Sequence, residues 1–220
     1  MDIYHGSEFI IEHPQYHGGK EYNDYGYGFY CTEEADMAAE WSVSADHHGY
    51  INHYVIHPDG LKILDLNQYT ILTWLAVLLE NRIFDVETML AKEAKQYIIR
   101  EFSVPYEKYD IIKGYRADDS YFSFAQDFIN GGISYSQLSK AMKLGKLGEQ
   151  IVLKSRKSFE LVQWVDAKEA RKEIWLPKRE RRDRTARADY RKISMEEYRK
   201  NDLYITKILD EEIKKDDPRL

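Results

Sequence analysis

Residues 23–32 read Asn-Asp-Tyr-Gly-Tyr-Gly-Phe-Tyr-Cys-Thr and lead into an Ala- and Glu-rich run. Gly26 and Gly28 bracket a tyrosine, and residues without side chains let a backbone pass close to a ligand or to another strand. The aromatic segment 29–31 favours a short strand. Thr32 then offers a hydroxyl group as a helix cap. The pattern therefore predicts a strand, a cap and a helix within a few residues.

Two aromatic side chains of this region are candidates for the walls of a flat slot. Tyr30 lies at the end of the predicted strand, and Trp41 lies on one face of the predicted helix. Core packing is the more common role of aromatic residues at helical spacing. Packing is therefore the default for both residues unless other site residues accompany them.

Composition places the chain among globular proteins. Its 220 residues are 43% hydrophobic, which is enough for a core in one domain with an appendage or in two small domains. The net charge of −6 argues against a general nucleic-acid binder. The single cysteine, Cys31, excludes an intrachain disulfide and fits a reducing compartment. The longest apolar run, 71–79, is too short to span a bilayer, and the first residues lack the pattern of an export signal. We therefore expect a cytoplasmic protein that does not enter a membrane.

Hydrophobic patterning predicts a mixture of strands and helices. The predicted strands cover 2–5, 51–57, 61–66, 110–115, 148–154 and 159–165, and the predicted helices cover 70–80, 86–100, 121–129 and 136–144. Pro58-Asp59-Gly60, between two of these strands, is a hairpin signal. The polar segment 13–24 contains one proline and two glycines, and it is long enough to border a site.

The composition changes after Asp166. Residues 168–192 contain 11 Lys and Arg and five Asp and Glu, a net charge of +6. The segment is either a solvated helical face or a basic arm that contacts a partner or nucleic acid; the interleaved acids favour the first. Ser194-Met195-Glu196-Glu197 has the pattern of a capping box and predicts a last helix. We therefore expect a domain at 1–165 and a charged helical extension at 166–220.

The sequence lacks the motifs of several enzyme classes. It contains no P-loop, no paired CxxC, no HExxH and no GxSxG. Four histidines (His47, His48, His53 and His57) lie close together in the sequence, but no second cluster of ligands accompanies them. We therefore expect no metal site.

Four short motifs occur at the predicted strand ends and on the first helix. They are Tyr4-His5-Gly6-Ser7, the Gly-x-Gly-Phe-Tyr that ends at Tyr30, Trp41 eleven residues later, and Gly148-Glu149-Gln150-Ile151-Val152. In this order the motifs resemble the ADP-ribosyltransferase superfamily, specifically the H-Y-E branch that includes poly(ADP-ribose) polymerases and diphtheria toxin. The chain looks closest to a small bacterial group of toxins, often encoded beside a short partner gene. The resemblance covers residues 1–165.

This resemblance implies an α+β fold in which a split pair of antiparallel sheets, with flanking helices, surrounds a nucleotide cleft. It implies an NAD-dependent mono-ADP-ribosyltransferase that uses NAD as co-substrate without a metal. The implied acceptor is a protein or a nucleic acid, and an antitoxin or immunity protein is an implied partner. The implied catalytic residues are Glu149, His5 and Tyr30, and the implied NAD-binding residues are His5, Gly6, Ser7, Gly28, Tyr30 and Trp41.

The chemistry of the reaction is compatible with these residue types. Cleavage of the nicotinamide–ribose bond passes through an oxocarbenium-like centre, which a carboxylate such as that of Glu149 can stabilise. His5 would bind the adenosine ribose, and the Gly6 backbone would pair with the carboxamide. Two departures from the pattern stand out. Ala38 replaces a serine that binds the carboxamide in many polymerases, and Glu149 adjoins Gln150 on a strand, where only one of the two can face the slot. The register of the motif favours Glu149.

Two alternative functions and the role of one loop remain open at this point. The chain could hydrolyse NAD with water as the acceptor. It could instead be a catalytically degenerate member that binds a nucleotide or a partner. The polar loop with Arg116, Asp118 and Asp119 could face the cleft and position an acceptor, although such loops more often pair internally.

Overall fold

A computed structural model of the chain describes residues 1–117, 119–144 and 148–220, without the side chain of Asp119. Its strands, in chain order, are β1 (Asp2–Ser7), β2 (Phe29–Cys31), β3 (Gly49–Ile56), β4 (Ile63–Asp65), β5 (Ile111–Tyr115), β6 (Glu149–Leu153) and β7 (Val162–Ala170). Its α-helices are α1 (Ala35–Ser42), α2 (Ile71–Asn81), α3 (Met89–Phe102), α4 (Asp119–Ile129), α5 (Tyr135–Ala141), α6 (Arg156–Leu161), α7 (Lys172–Ser194) and α8 (Ile205–Asp210). The predicted α+β class is confirmed.

The strands form two separate sheets. One has the order β1-β3-β7 and is antiparallel throughout, and the other has the order β2-β6-β5-β4. The sheets meet at a bridge where the Tyr4 amide donates to the Thr32 carbonyl (2.7 Å) and the Thr32 amide donates back to the Tyr4 carbonyl (2.9 Å). One position further along β1, the His5 imidazole bonds the Tyr30 carbonyl. The ladder between β1 and β2 stops there, and the two sheets separate.

The two largest hydrophobic clusters among the described residues hold most of the sheets and helices together. The larger lies on the helical side, where nine of the eleven residues of α2 are buried. A helix that is apolar on all sides belongs inside a core, as its sequence predicted. The smaller cluster lies between the sheets and consists of Ile3, Phe29, Cys31, Tyr54, Ile56, Ile111, Ile151 and Leu153. Alternate residues of β6 therefore face different clusters.

Three local predictions within residues 1–165 are wrong. β4 does not form a hairpin with β3, because it pairs in parallel with β5 in the other sheet. The strand predicted at 159–165 begins only at Val162, because α6 occupies the preceding residues. Thr32 does not cap α1, whose N-cap residue is Glu34. The backbone of Thr32 is instead committed to the bridge between the sheets.

The charged C-terminal segment packs on the domain. Ala186 and Tyr190 of α7 are buried in the larger cluster, and the Tyr190 ring stacks on Phe124 at 3.7 Å between centroids. The boundary expected after residue 165 falls inside β7. Ser194 ends α7 and does not open a helix, so the capping-box prediction is wrong. Among the described residues, no helix is both long and apolar enough to cross a membrane.

Candidate functional site

A cleft of about 850 Å³ opens where the two sheets separate. This volume lies within the range of small-molecule and cofactor sites. Its walls come from β1, β2, α1, β6, the residues after β5, and the start of α7. The polar segment 13–24 supplies one rim, as expected from its length. The lining residues that carry charges, rings or amides include His5, Lys20, Asp24, Tyr30, Trp41, Arg82, Arg116, Gln150 and Arg179.

The His5 side chain is fixed at the point where the sheets separate. Its Nδ1 lies 2.7 Å from the Tyr30 carbonyl oxygen, which can only accept, so Nδ1 carries the proton. Its ring packs against Phe29 at 4.3 Å between centroids. Burial lowers the pKa of His5, because desolvation disfavours the imidazolium, and the bond to Tyr30 only partly opposes this. His5 is therefore a neutral imidazole whose Nε2 can accept a hydrogen bond from a ligand hydroxyl.

The burial of His5 predicts a pH dependence of stability. Its pKa in the folded protein is below the ordinary value of 6.5, so the unfolded chain takes up a proton first as the pH falls. This contribution leaves stability intact above pH 6.5 and lowers it by up to about 1.4 kcal/mol per pH unit below that value. Urea unfolding at about pH 7.5 and about pH 5.5 should show a larger loss for wild type than for His5→Gln. Equal losses in the two proteins would contradict the assignment.

The Tyr30 phenol is occupied by internal bonds. Its hydroxyl donates to the Gly26 carbonyl (2.7 Å) and accepts from the Tyr25 amide (2.9 Å). Burial raises the pKa of Tyr30 far above its ordinary value. The phenol therefore fixes the turn before β2, and the ring is available as a wall of the cleft.

Trp41 lies in the same cleft, on α1. The guanidinium of Arg116 lies over the Trp41 ring, 4.1 Å from its centroid, which is a cation–π contact. Arg116 therefore faces the cleft, as the sequence allowed. Asp118, the next acid of that loop, lies outside the described residues, as does the side chain of Asp119.

The two predicted glycines line the cleft, whereas Ser7 does not. The Ser7 hydroxyl accepts from the Asn52 side chain (3.1 Å) and donates to the Phe9 carbonyl, so it stabilises the loop after β1. Gly6 has a more specific role. The N–H and C=O groups of Tyr4 point toward β2. Backbone groups two residues apart on a strand point to the same side, so the N–H and C=O of Gly6 also point away from β3, into the gap between the sheets. The Gly6 backbone can therefore donate to and accept from a ligand.

Gly6 also allows α1 to approach β1 closely. A Cβ built on Gly6 would lie 1.9 Å from the Ala38 carbonyl oxygen, a backbone atom that cannot rotate away. We expect Gly6→Ala to lower the free energy of unfolding by about 1–3 kcal/mol, measured in urea. Gly132→Ala is the control, because the nearest atom to its Cβ is 3.3 Å away. Equal stability of the two variants would contradict the close contact.

The structure does not bring Glu149 into the cleft, which corrects the expectation from the motif register. Tyr30 pairs with Val152, so Gln150 lies on the Tyr30 face of the sheet and Glu149 on the opposite face. Glu149 pairs with Lys113 at 2.9 Å, accepts from Asn67 at 2.8 Å, and has a 38% exposed side chain. Glu149 is not among the described residues that line the cleft beside His5.

Gln150 occupies the place expected for the acid. It is 2% exposed, and its Nε2 donates to Asp24 (3.0 Å) and to the Tyr115 carbonyl (3.1 Å). The carbonyl of Tyr115 can only accept, which fixes the orientation of the amide. The Gln150 carbonyl oxygen is turned away from both partners and can accept from a ligand hydroxyl.

Asp24 is the buried acid of the cleft, and the sequence reasoning did not single it out. It is 5% exposed, pairs with Arg82 at 3.1 Å and accepts from the Ala117 amide at 2.8 Å. Burial raises the pKa of Asp24, although the Ala117 amide and Arg82 act in the opposite direction. The sequence offers one hint of its role, its position just before the glycine-rich stretch. Its partners in the folded protein are more than 50 residues away along the chain, so no local motif contains them.

The cleft is positively charged in a protein of net charge −6. Among the described residues that line it, four are cationic (Lys20, Arg82, Arg116 and Arg179) and one, Asp24, is acidic. A concave site with excess positive charge concentrates anions. The arrangement therefore suits an anionic ligand with an aromatic ring and hydroxyl groups.

A family profile matches residues 1–164 of the chain. The chain belongs to this family, which is described as protein of unknown function (DUF3990). Comparisons with curated proteins and with solved structures give no match. The profile includes β1 to β6 and the start of β7, and α7 lies beyond it.

Proposed function

We propose that this DUF3990 protein is a cytoplasmic ADP-ribosyltransferase that binds NAD in the cleft and transfers ADP-ribose to a protein or nucleic acid. One observation carries the proposal. His5, Tyr30, Trp41 and Gln150, from β1, β2, α1 and β6, line a single positively charged cleft between two split sheets. These residues are separated by up to 145 positions. His5, Tyr30 and Trp41 are members of the set that the resemblance implies, and Gln150 stands where it implies Glu149.

The aromatic walls suit the nicotinamide of NAD. Its oxidised ring carries a positive charge, which aromatic faces attract through cation–π contacts. In the proposed complex it packs on Tyr30 and takes the place of the Arg116 guanidinium on Trp41. The carboxamide on that ring has one donor group and one acceptor, and both match the Gly6 backbone. Ala38 provides no hydroxyl group, so in this proposal the Gly6 backbone alone holds the carboxamide.

The polar groups suit the riboses. In the proposed complex, Nε2 of His5 accepts from a hydroxyl of the adenosine ribose, and the Gln150 carbonyl oxygen accepts from a hydroxyl of the nicotinamide ribose. These contacts leave the reacting carbon facing an acceptor. Fixing both partners in this geometry is a main source of catalysis when the leaving group is already good.

The proposed reaction breaks the bond between nicotinamide nitrogen and ribose carbon. The bonding electron pair leaves with nicotinamide, which becomes neutral, and the acceptor's nucleophilic atom bonds to the ribose carbon and loses a proton. Positive charge develops on the ribose between these events. The Gln150 carbonyl dipole would stabilise that charge, with the Asp24 carboxylate behind it, in place of the Glu149 carboxylate that the motif implies.

Incubation with NAD labelled in its adenylate portion tests this function. Purified protein and a cell lysate should yield labelled macromolecules together with an equal amount of free nicotinamide. Release of free ADP-ribose without labelled macromolecules would show that the protein is an NAD glycohydrolase and not a transferase. A lack of nicotinamide release with any lysate would rule out both enzymes.

The amide of Gln150, which stands where the motif implies a carboxylate, favours a second function. An amide lacks the negative charge that stabilises an oxocarbenium-like centre most strongly, which suits a module that binds NAD without cleaving it. Calorimetry that shows NAD binding, with no nicotinamide released over hours, would support this binding role.

We also propose a toxin that a partner protein restrains, which follows from the resemblance alone. Expression of wild type should stop bacterial growth, and Gln150→Ala should not. Growth arrest by both proteins would show that toxicity does not depend on Gln150 in the cleft.

A further inference from the structure

Helix α7 contributes to the cleft although it lies beyond the family match. Arg179, near the start of this helix, lines the cleft together with residues of β1 and β6. The family profile ends at residue 164, eight positions before α7 begins. The charged C-terminal segment is therefore more than a solvated face.

A buried ion pair sets the position of Arg179. One turn further along α7, Arg182 pairs with Glu40 of α1 at 2.6 Å, and both side chains are mostly buried (16% and 12% exposed). Arg182 also contacts the Met37 sulfur at 2.8 Å. Tyr190, near the other end of the helix, packs on Phe124. The helix is therefore held against the domain at the turn after Arg179 and again near its C-terminal end.

Arg179 is an exposed residue, and one side-chain hydrogen bond to a described residue uses one of its donors. Its Nη1 donates to the carbonyl of Val43, at the end of α1, at 3.1 Å. An arginine has five N–H donors in a planar fork, so this bond uses one of the five. Two acids lie in electrostatic range, Glu40 and Asp183. Each already pairs with another arginine: Glu40 with Arg182, and Asp183 with Arg187.

Arg179 differs in this respect from Arg82, the deeper arginine of the cleft. Arg82 is neutralised by Asp24 at 3.1 Å, whereas Arg179 bonds a neutral carbonyl oxygen. A guanidinium fork matches two phosphate oxygens at once. We propose that Arg179 binds a phosphate of the ligand in the cleft, so that α7 completes the site. The inference rests on the proposed function in that the phosphate is the pyrophosphate of NAD.

Binding calorimetry with three ligands tests this role. NAD and ADP carry phosphates, and nicotinamide does not. Arg179→Gln is expected to weaken binding of NAD and ADP about tenfold and to leave nicotinamide binding unchanged. Arg179→Lys keeps the positive charge but not the planar fork, so its affinity for NAD and ADP should lie between those of wild type and Arg179→Gln. The affinity of Arg179→Gln for NAD should also depend less on salt than that of wild type.

Arg181→Gln is the matched control. Arg181 is an exposed residue of the same helix, has the same charge, and lies about 200° around the helix axis from Arg179. It should bind all three ligands like wild type. A purely structural role of Arg179, in capping α1 through Val43, would lower thermal stability without separating phosphate ligands from nicotinamide.

The outcomes separate this inference from the proposed function. Equal NAD affinity in Arg179→Gln and Arg181→Gln would overturn the role of Arg179 and leave the transferase proposal standing. ADP binding that depends on Arg179, without NAD binding to wild type, would support the phosphate site and overturn the transferase. A lack of binding of both NAD and ADP to wild type would overturn both.

Discussion

Replacing Gln150 by alanine is expected to slow nicotinamide release from NAD at least about a hundredfold, and Glu149→Ala to change it by no more than about twofold. Gln150 lies on the cleft face of β6, and Glu149 lies on the opposite face. Loss of one preorganised polar group at a site of developing charge typically costs two to three orders of magnitude in rate. Loss of a partly exposed ion pair with Lys113 costs little.

The surroundings of Gln150 explain why an amide stands there. Its Nε2 donates to two acceptors, the Asp24 carboxylate and the Tyr115 carbonyl. A carboxylate at the same place would face both acceptors without a proton to donate. Either this carboxylate or that of Asp24 would then take up a proton, because two buried carboxylates in contact cannot both ionise easily. Gln150→Glu is therefore expected to destabilise the fold rather than improve catalysis.

Single-turnover assays with purified protein measure the first prediction. Nicotinamide is quantified by chromatography after mixing excess enzyme with NAD, and unfolding in urea confirms that each variant is folded. Equal rates for wild type and Gln150→Ala would remove Gln150 from the mechanism. A hundredfold loss in Glu149→Ala alone would show that the working enzyme places Glu149 in the cleft.

Asp24→Asn is expected to produce the largest loss of stability, about 3–5 kcal/mol. The carboxylate is 5% exposed and is contacted by Arg82, Gln150 and the Ala117 amide. An asparagine would present an N–H₂ group to at least one of these donors. It would also leave Arg82 without its counter-charge in a mostly buried position, and an uncompensated buried charge is costly.

Chemical unfolding of wild type, Asp24→Asn and Asp59→Asn measures this prediction. Asp59 is exposed in the turn after β3, so its variant should stay within about 0.5 kcal/mol of wild type. Asp24→Asn combined with Arg82→Met removes both charges and should recover part of the loss. If Asp24→Asn is as stable as the control Asp59→Asn, the hydrogen-bond network of Asp24 does not stabilise the cleft.

The sequence predicted the parts of this fold that depend on local pattern. The apolar run of α2 indicated a buried helix, and the polar segment 13–24 was expected to border a site. His5, Tyr30 and Trp41 were named from short motifs, and the structure places all three in one cleft. Each of these signals lies within a few consecutive residues.

The features that the sequence missed depend on contacts between distant residues. The choice between Glu149 and Gln150 depends on the pairing of β6 with β2, and a shift by one residue reverses the face. The Asp24 partners come from the residue after α2, from β6 and from the residues after β5. Arg179 reaches the cleft from α7, which the pair of Arg182 and Glu40 holds against α1. No local pattern encodes such contacts.

A crystal structure of the protein with a non-cleavable NAD analogue would show whether the cleft binds NAD as proposed. We expect the nicotinamide ring against Tyr30 and Trp41, its carboxamide on the Gly6 backbone, and a ribose hydroxyl within hydrogen-bond distance of Nε2 of His5. An analogue bound outside this cleft, or an empty cleft at a saturating concentration, would rule out the proposed NAD site.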